Sequence, residues 1–127
     1  MVRCGGHAPV VCALALVASA CATEPIQPGV LREVTGQAIA PFEFHEECVT
    51  MVTGDRLNYQ FEAQRPVNFS IHYREGKAVI MPLSLENVTT DSGTFRVLTP
   101  QDYCMMWEAG REGAILDYRV TLMRGPR

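Results

Sequence analysis

The chain has 127 residues, of which 47% are hydrophobic and 20% are charged, and its formal net charge is −3. This length allows one domain at most. The charged residues are scattered singly and form no basic stripe, so nucleic acid and anionic lipid surfaces are excluded as expected partners.

The N-terminal residues have the layout of an export signal. Arg3 precedes the apolar run 8–20, which ends in small residues. The run is too short to span a membrane as a helix, which needs about 20 apolar residues, but it has the length of a signal-peptide core. We therefore predict that residues 1–20 are a signal peptide.

Cys21 directly follows Ala18-Ser19-Ala20 in an arrangement that resembles a lipobox, with Ala18 where Leu is most common. This resemblance predicts lipid attachment at Cys21, and residues 21–36 then serve as a polar, proline-containing linker. We expect a lipid-anchored protein of the bacterial cell envelope, and Ala22 favours the periplasmic face of the outer membrane. The alternative is a secreted protein with a free thiol at Cys21.

The five cysteines separate into three groups. Cys4 and Cys12 leave with the signal peptide, Cys21 is the lipidation candidate, and Cys48 and Cys104 remain as one pair in an oxidising compartment. A bridge between them would close a loop of about 57 residues and stabilise the fold by roughly 4 kcal/mol. We predict a Cys48–Cys104 disulfide.

Downstream of the linker the sequence alternates between apolar and polar residues, which is typical of strands with one buried face. The alternation is clearest on either side of Arg65-Pro66. Thr89 to Gly93 has the composition of a loop, and Pro82 indicates a strand end or an edge. The expected strands cover residues 30–34, 47–52, 57–63, 67–73, 78–83, 94–98, 103–107 and 115–122.

Seven or eight short strands without a helical period predict an all-β fold, an antiparallel, jelly-roll-like β-sandwich. We assign it to residues 37–123, with 124–127 as a polar tail.

The expected strand 103–107 is apolar on both faces. Tyr103, Met105 and Trp107 alternate with Cys104 and Met106. Such a strand is either covered on both sides or exposes one face to a partner. We favour the first interpretation, in which Trp107 belongs to the core. The alternative is a contact patch formed by Tyr103, Met105 and Trp107.

No residue pattern indicates catalysis. His72 is expected on the wet face of its strand beside Ser70 and Arg74, as a solvated side chain. Glu46 and Glu47 are neighbours that point apart in a strand, so they form no acid–base pair. We therefore predict no catalytic residues, no enzymatic activity and no cofactor.

A copper-binding protein is the alternative from a different class. Histidine, cysteine and methionine are ligands that suit Cu(I). The spacing of these ligands argues against a single site. His45 and Cys48 are three residues apart, so in a strand their side chains point to opposite faces. The same holds for the adjacent residues Met105 and Met106. We predict no metal site and keep copper binding as the alternative. The other candidate ligands for Cu(I) in the sequence are Met51, His72 and Met81.

Several of these segments together resemble the Golgi-dynamics (GOLD) domain of eukaryotic luminal cargo receptors, over about residues 44–122. The matching elements are Glu47-Cys48, Gly54, the strand 66–72, Gly93-Thr94-Phe95, and Tyr103-Cys104 followed by Trp107. The resemblance implies a jelly-roll-like sandwich, a bridge between Cys48 and Cys104, and a binding role.

The receptors follow this domain with a coiled coil and a membrane span, which the sequence lacks, so their trafficking role is not carried over. We expect a non-enzymatic envelope lipoprotein whose β-sandwich binds another envelope protein.

Overall fold

The computed structural model describes residues 24–126, and this part of the chain is built from six strands. The expected signal peptide and Cys21 lie outside the described residues. Among residues 24–126 no helix is long and apolar enough to cross a membrane. The strands are β1 (Arg32–Ile39), β2 (Phe44–Met51), β3 (Arg56–Glu75), β4 (Ala78–Arg96), β5 (Gln101–Ala109) and β6 (Ala114–Met123).

A long hairpin of β3 and β4, which turns at Gly76-Lys77, organises the sheet. On the other edge of β3, residues 56–63 pair with β6 and residues 67–72 pair with β5. β1 continues the sheet beyond β6, and β2 continues it beyond β5. The antiparallel sheet therefore curls into two layers that share the hairpin. We call them layer one (β1, β6, the first half of β3 and the second half of β4) and layer two (β2, β5, the second half of β3 and the first half of β4).

The change of partner along β3 explains its central proline. Residues 64–66 have no partner in any of the three ladders that β3 forms. Proline has no N–H to donate, so Pro66 fits at this point without breaking a ladder hydrogen bond. The prediction that Arg65-Pro66 separates two strands is therefore wrong, because the chain bends there and continues as one strand.

The core lies between the layers, with Trp107 of β5 at its centre. The Trp107 ring stacks on Tyr118 of β6 at a centroid distance of 4.5 Å and meets Phe69 of β3 at 5.2 Å. Tyr103, Met105 and Trp107 are all buried. The interpretation of Trp107 as core is confirmed, and the contact-patch alternative is wrong because this face of β5 packs against layer one.

The all-β antiparallel architecture with one disulfide is confirmed, and the strand count is six instead of seven or eight. Residues 89–93 are not a loop, because they belong to β4 and residues 90–93 pair with the first half of β3. β1 begins at Arg32, so residues 32–36 of the predicted linker belong to the sheet.

The solvated position predicted for the His72 side chain is wrong. It is only 5% exposed, as is Ser70, because side chains of the neighbouring strands on the same face, such as Glu46 and Cys104, lie against it.

Candidate functional site

The predicted disulfide lies on the outer face of layer two. Cys48 of β2 and Cys104 of β5 are directly opposite each other in the ladder, with their Cα atoms 4.0 Å apart. The Cys48–Cys104 bridge is thus confirmed. Cys48 is exposed and Cys104 is half-buried, so the bridge faces solvent and not the core.

A polar network lies between the two layers on the side opposite the β3–β4 hairpin, where β1 of layer one faces β2 of layer two. Arg32 Nη2 of β1 lies 2.9 Å from Glu47 Oε1 of β2. The Tyr118 hydroxyl of β6 donates to Glu47 Oε2, and His45 Nε2 lies 2.9 Å from the same hydroxyl. Because the hydroxyl proton goes to Glu47, His45 donates from Nε2 to the Tyr118 oxygen.

Burial determines the protonation of this network. It lowers the pKa of His45, and the Arg32 charge acts in the same direction while the Glu47 carboxylate opposes both. Burial also raises the pKa of Tyr118, and its hydrogen bond to Glu47 adds to that effect. At neutral pH the network therefore holds a neutral imidazole, a protonated phenol and one ion pair.

A cleft of about 200 Å³ opens beside this network. Arg32 Nε is buried there without a hydrogen-bond partner among the described residues. The cleft can receive a small polar group but is smaller than the usual pocket for a drug-sized ligand, about 300–1,000 Å³. Its lining consists of Glu24, Pro25, Ile26, Arg32, His45, Glu46, Glu47, Cys48 and Tyr118.

A second polar cluster lies on the outer face of layer two. Glu46 Oε2 of β2 reaches over β5 to His72 Nε2 of β3, at 3.3 Å, and His72 Nδ1 lies 3.3 Å from Ser70 Oγ. Serine, histidine and carboxylate in this order have the connectivity of a hydrolase triad. Ser70 is buried, however, so this arrangement offers no approach for a substrate. Sequence reasoning missed the pair of Glu46 and His72 because the two residues lie on β2 and β3, which are separated in the sheet by β5.

An exposed aromatic turn joins β1 to β2. The Glu43 N–H donates to the Ala40 carbonyl at 3.0 Å, with Pro41 and Phe42 between them. Phe42 has φ +60° and is 74% exposed. Proline followed by a residue of positive φ is the pattern of a type II turn, which favours Gly at the position that Phe42 occupies. Phe42 therefore takes a conformation that costs a bulky residue energy, and it gains little burial in return.

This turn is fastened to the turn between β5 and β6. The Phe42 N–H donates to the Gly110 carbonyl at 3.1 Å, and the Ala109 N–H donates to the Glu43 carbonyl at 2.9 Å. Gly113 must remain Gly, since a Cβ there would lie 2.7 Å from the Ile39 carbonyl oxygen. The backbone that carries Phe42 is thus held at several points.

His45 and Cys48 point to opposite faces of β2, as their spacing predicts, so they do not meet in one copper site. His45 lies in the network between the layers, whereas Cys48 is on the outer face. Met105 is buried in the core and Met106 is half-buried on the opposite face of β5. The ligands of the copper alternative are therefore divided between two faces.

These features define a disulfide-linked, β-sandwich-like domain with an exposed aromatic turn. No family model and no curated protein sequence matches the chain. Among solved structures, the chain is similar to PliG of Aeromonas hydrophila, a periplasmic inhibitor of g-type lysozyme. The TM-score is 0.52 at 11% identity, over 72% of this chain and 85% of that one. The likeness shows a shared fold.

A second solved structure is the C-terminal CBM6 of LamC, from a marine laminarinase of Zobellia galactanivorans. Its TM-score is 0.39 at 18% identity, over 71% of this chain and 90% of that chain. A TM-score this low does not support a shared fold.

The resemblance to the GOLD domain extends only to a β-sandwich-like architecture with one disulfide.

Proposed function

We propose that this chain is a non-enzymatic, protein-binding module of a bacterial envelope lipoprotein, with residues 1–20 removed and Cys21 carrying the lipid. The observation that carries the binding role is the aromatic turn. Phe42 is 74% exposed, and Phe44 nearby is exposed as well. The anchor follows from the lipobox-like site and is independent of the binding role.

The energetics of the turn favour a partner. A left-handed conformation costs an ordinary L-residue about 1–2 kcal/mol, and Phe42 recovers little of this by burial in its own chain. Backbone strain at an exposed position is a feature of functional sites. A large aromatic side chain on a preorganised turn is also the type of residue that dominates binding energy at interfaces.

The partner is proposed to be another exported protein, because signal peptide and anchor would place the module outside the cytoplasm. PliG, which shares the fold, is a periplasmic protein that inhibits another protein. A g-type lysozyme is therefore the first partner to test. In this proposal the aromatic turn inserts into a concave site on the partner.

The test measures binding of the full chain to a purified g-type lysozyme by biolayer interferometry. Phe42→Ser should weaken binding at least tenfold, whereas Leu98→Ser, at an 82% exposed apolar position on a different loop, should leave it unchanged. Equal effects of the two substitutions would refute the aromatic turn as the binding surface. No binding by the unsubstituted chain would refute the lysozyme as partner.

In that second case, a photoreactive amino acid at position 42 or at position 98 identifies the envelope partner in living cells. A discrete adduct from position 42 alone supports the proposal, and the absence of an adduct at both positions refutes it.

The anchor is tested separately by cell fractionation. Cys21→Ser should release the chain from the membrane fraction, and unchanged retention would refute lipidation.

A further inference from the structure

Three neighbouring strands of layer two place metal-ligand side chains side by side on the outer face. Cys48 of β2 pairs with Cys104 of β5, and Cys104 in turn pairs with His72 of β3. Glu46 precedes Cys48 by two residues and therefore shares its face. Two sulfurs, one imidazole and one carboxylate thus meet over β5.

The distances among three of these groups are close to those of a tetrahedral metal site. The Glu46 oxygen, a ring nitrogen of His72 and Cys104 Sγ all lie within 4.8 Å of one another, and Glu46 Oε2 is 3.3 Å from His72 Nε2. In a tetrahedral zinc site with bonds of about 2.0–2.3 Å, neighbouring ligand atoms lie about 3.3–3.8 Å apart. Glu46, His72 and Cys104 therefore need only small movements to reach that geometry, whereas Cys48 Sγ must move away from Cys104 Sγ once their bond is broken.

The surroundings of His72 also fit this role. A histidine that binds a metal usually uses its other ring N–H in a hydrogen bond, which orients the ring. His72 Nδ1 lies 3.3 Å from Ser70 Oγ, so an N–H at Nδ1 that donates to Ser70 leaves the Nε2 lone pair on the side where Glu46 lies, ready to bind a metal. Both His72 and Ser70 are buried, so water has little access to that side of the cluster.

The disulfide keeps the site closed. In the oxidised chain both sulfurs are used by their mutual bond, and only Glu46 and His72 remain as ligands. A dithiol reductant transfers two electrons and two protons to the bridge, yielding the Cys48 and Cys104 thiols and the oxidised reductant as a disulfide. The thiols then lose their protons when they bind the metal. Because Cys48 is exposed, a reductant can reach the bridge.

We propose that reduction of the Cys48–Cys104 bridge opens a zinc site, with both thiolates, His72 Nε2 and a Glu46 oxygen as ligands. Zn²⁺ fits better than Cu(I) because it accepts thiolate, imidazole and carboxylate in one tetrahedral set, whereas carboxylate is a poor ligand for a soft ion. The site is independent of the aromatic turn and of the protein-binding role.

The experiment uses the full chain with Cys4, Cys12 and Cys21 replaced by serine, so that Cys48 and Cys104 are the only thiols. The chain is reduced with a dithiol, freed of excess reductant under nitrogen and titrated with Co²⁺. We expect one equivalent to bind with the spectrum of tetrahedral cobalt and thiolate-to-metal charge transfer, and Zn²⁺ to displace it. The oxidised chain should show neither signal.

Glu46→Gln and His72→Asn keep the disulfide, so both variants can be folded before reduction. Each should weaken binding of Co²⁺ and Zn²⁺ at least tenfold. Glu108→Gln is the matched control, because Glu108 lies on the same face of the sheet and outside the cluster. A reduced, β-rich chain that binds no Co²⁺ would overturn the proposal, as would equal affinity in all three variants.

Two further outcomes also decide the question. If the reduced chain loses its strand signal in circular dichroism, Zn²⁺ should restore it, and failure to do so counts against the site. If Cu(I) binds and depends on Met106 while Zn²⁺ does not bind, the zinc site is wrong and the outer face is a copper site.

Discussion

Arg32 and Glu47 form an ion pair that joins the two terminal strands of the curled sheet, with Nη2 and Oε1 2.9 Å apart. β1 and β2 stand at opposite ends of the strand order, so no backbone ladder connects them. The pair lies between the layers, with side chains only 18% and 9% exposed. It therefore links the layers on the side opposite the β3–β4 hairpin.

Breaking this pair should destabilise the fold more than breaking a surface pair. Arg32→Met leaves the Glu47 charge uncompensated in a nearly buried site, and we expect a loss of roughly 2–3 kcal/mol in the free energy of unfolding. Arg119→Met is the control, because its pair with Glu33 is about half exposed and should be worth under about 1 kcal/mol. Urea unfolding measures both, and equal losses would show that the interlayer pair has no special role.

Removal of the disulfide should lower stability without changing the fold. The bridged residues are 56 apart in sequence, and loop-closure entropy predicts a loss of about 4 kcal/mol for the variant with Cys48→Ala and Cys104→Ala. The measurement is urea unfolding of the variant and of the oxidised parent chain. A loss below about 1 kcal/mol would mean that residual structure already restricts the unfolded chain without the bridge.

Stability should fall in acid through Asp55. Burial pushes the pKa of its carboxyl upwards, but donation from the Val52 N–H, the Gly125 N–H and Arg124 outweighs it, so the pKa lies below its ordinary value. A lowered folded-state pKa contributes stability that is fully present above the unfolded value of about 3.9 and is lost as pH falls through the folded value.

The Asp55→Asn variant separates this contribution from other acid effects. It should be less stable than the parent chain at pH 7, by about 1–3 kcal/mol. The difference should begin to shrink below about pH 4, where the carboxyl of the unfolded parent chain takes up a proton, and should go on shrinking as pH falls through the lower folded-state pKa. Urea unfolding at pH 7, 4, 3 and 2 tests this, and a difference that stays constant over the series would assign the acid sensitivity to other groups.

Trp107 is the only tryptophan of the chain, so its fluorescence reports on the core directly. We expect blue-shifted emission and little quenching by acrylamide, because the ring is fully buried against Tyr118 and Phe69. Trp107→Ala should cost about 3–5 kcal/mol. Trp107→Phe should cost less, since Nε1 makes no hydrogen bond among the described residues. Emission typical of solvated tryptophan would contradict this packing.

Phe42 and Phe44 should respond in opposite ways to glycine. At Phe42 the positive φ favours glycine, and the side chain is largely exposed, so Phe42→Gly should leave stability unchanged or raise it by up to about 1 kcal/mol. Phe44 begins β2, where glycine weakens a strand, so Phe44→Gly should cost roughly 0.5–1 kcal/mol. Thermal unfolding of both variants compares them. A large loss at Phe42 would indicate packing that the exposed position does not explain.

The strands and the disulfide could be predicted from the sequence to different extents. Alternation of Leu57, Tyr59 and Phe61 with polar residues identified a strand because one face of it is buried and the other is wet. The same logic failed at Ser70 and His72, whose polar face is covered by neighbouring strands. Composition also failed at residues 89–93, where pairing with β3 overrides a polar, loop-like sequence.

The candidate sites depended still more on the tertiary structure. Phe42 carries a local signal, since proline precedes it in a turn, but only the backbone reveals its positive φ. Glu46 and His72 approach each other because β2 and β3 both flank β5, which no local pattern predicts.

The sequence by itself determined the all-β class and the cysteine pair. Strand periodicity is a local property, and only two cysteines remain once the expected leader and lipid site are set aside. The tertiary structure alone decided that β3 and β4 run unbroken through both layers, that His72 is buried, and that Arg32 meets Glu47. These depend on which strands become neighbours, and that choice is set by the burial of whole faces and not by any short stretch of the chain.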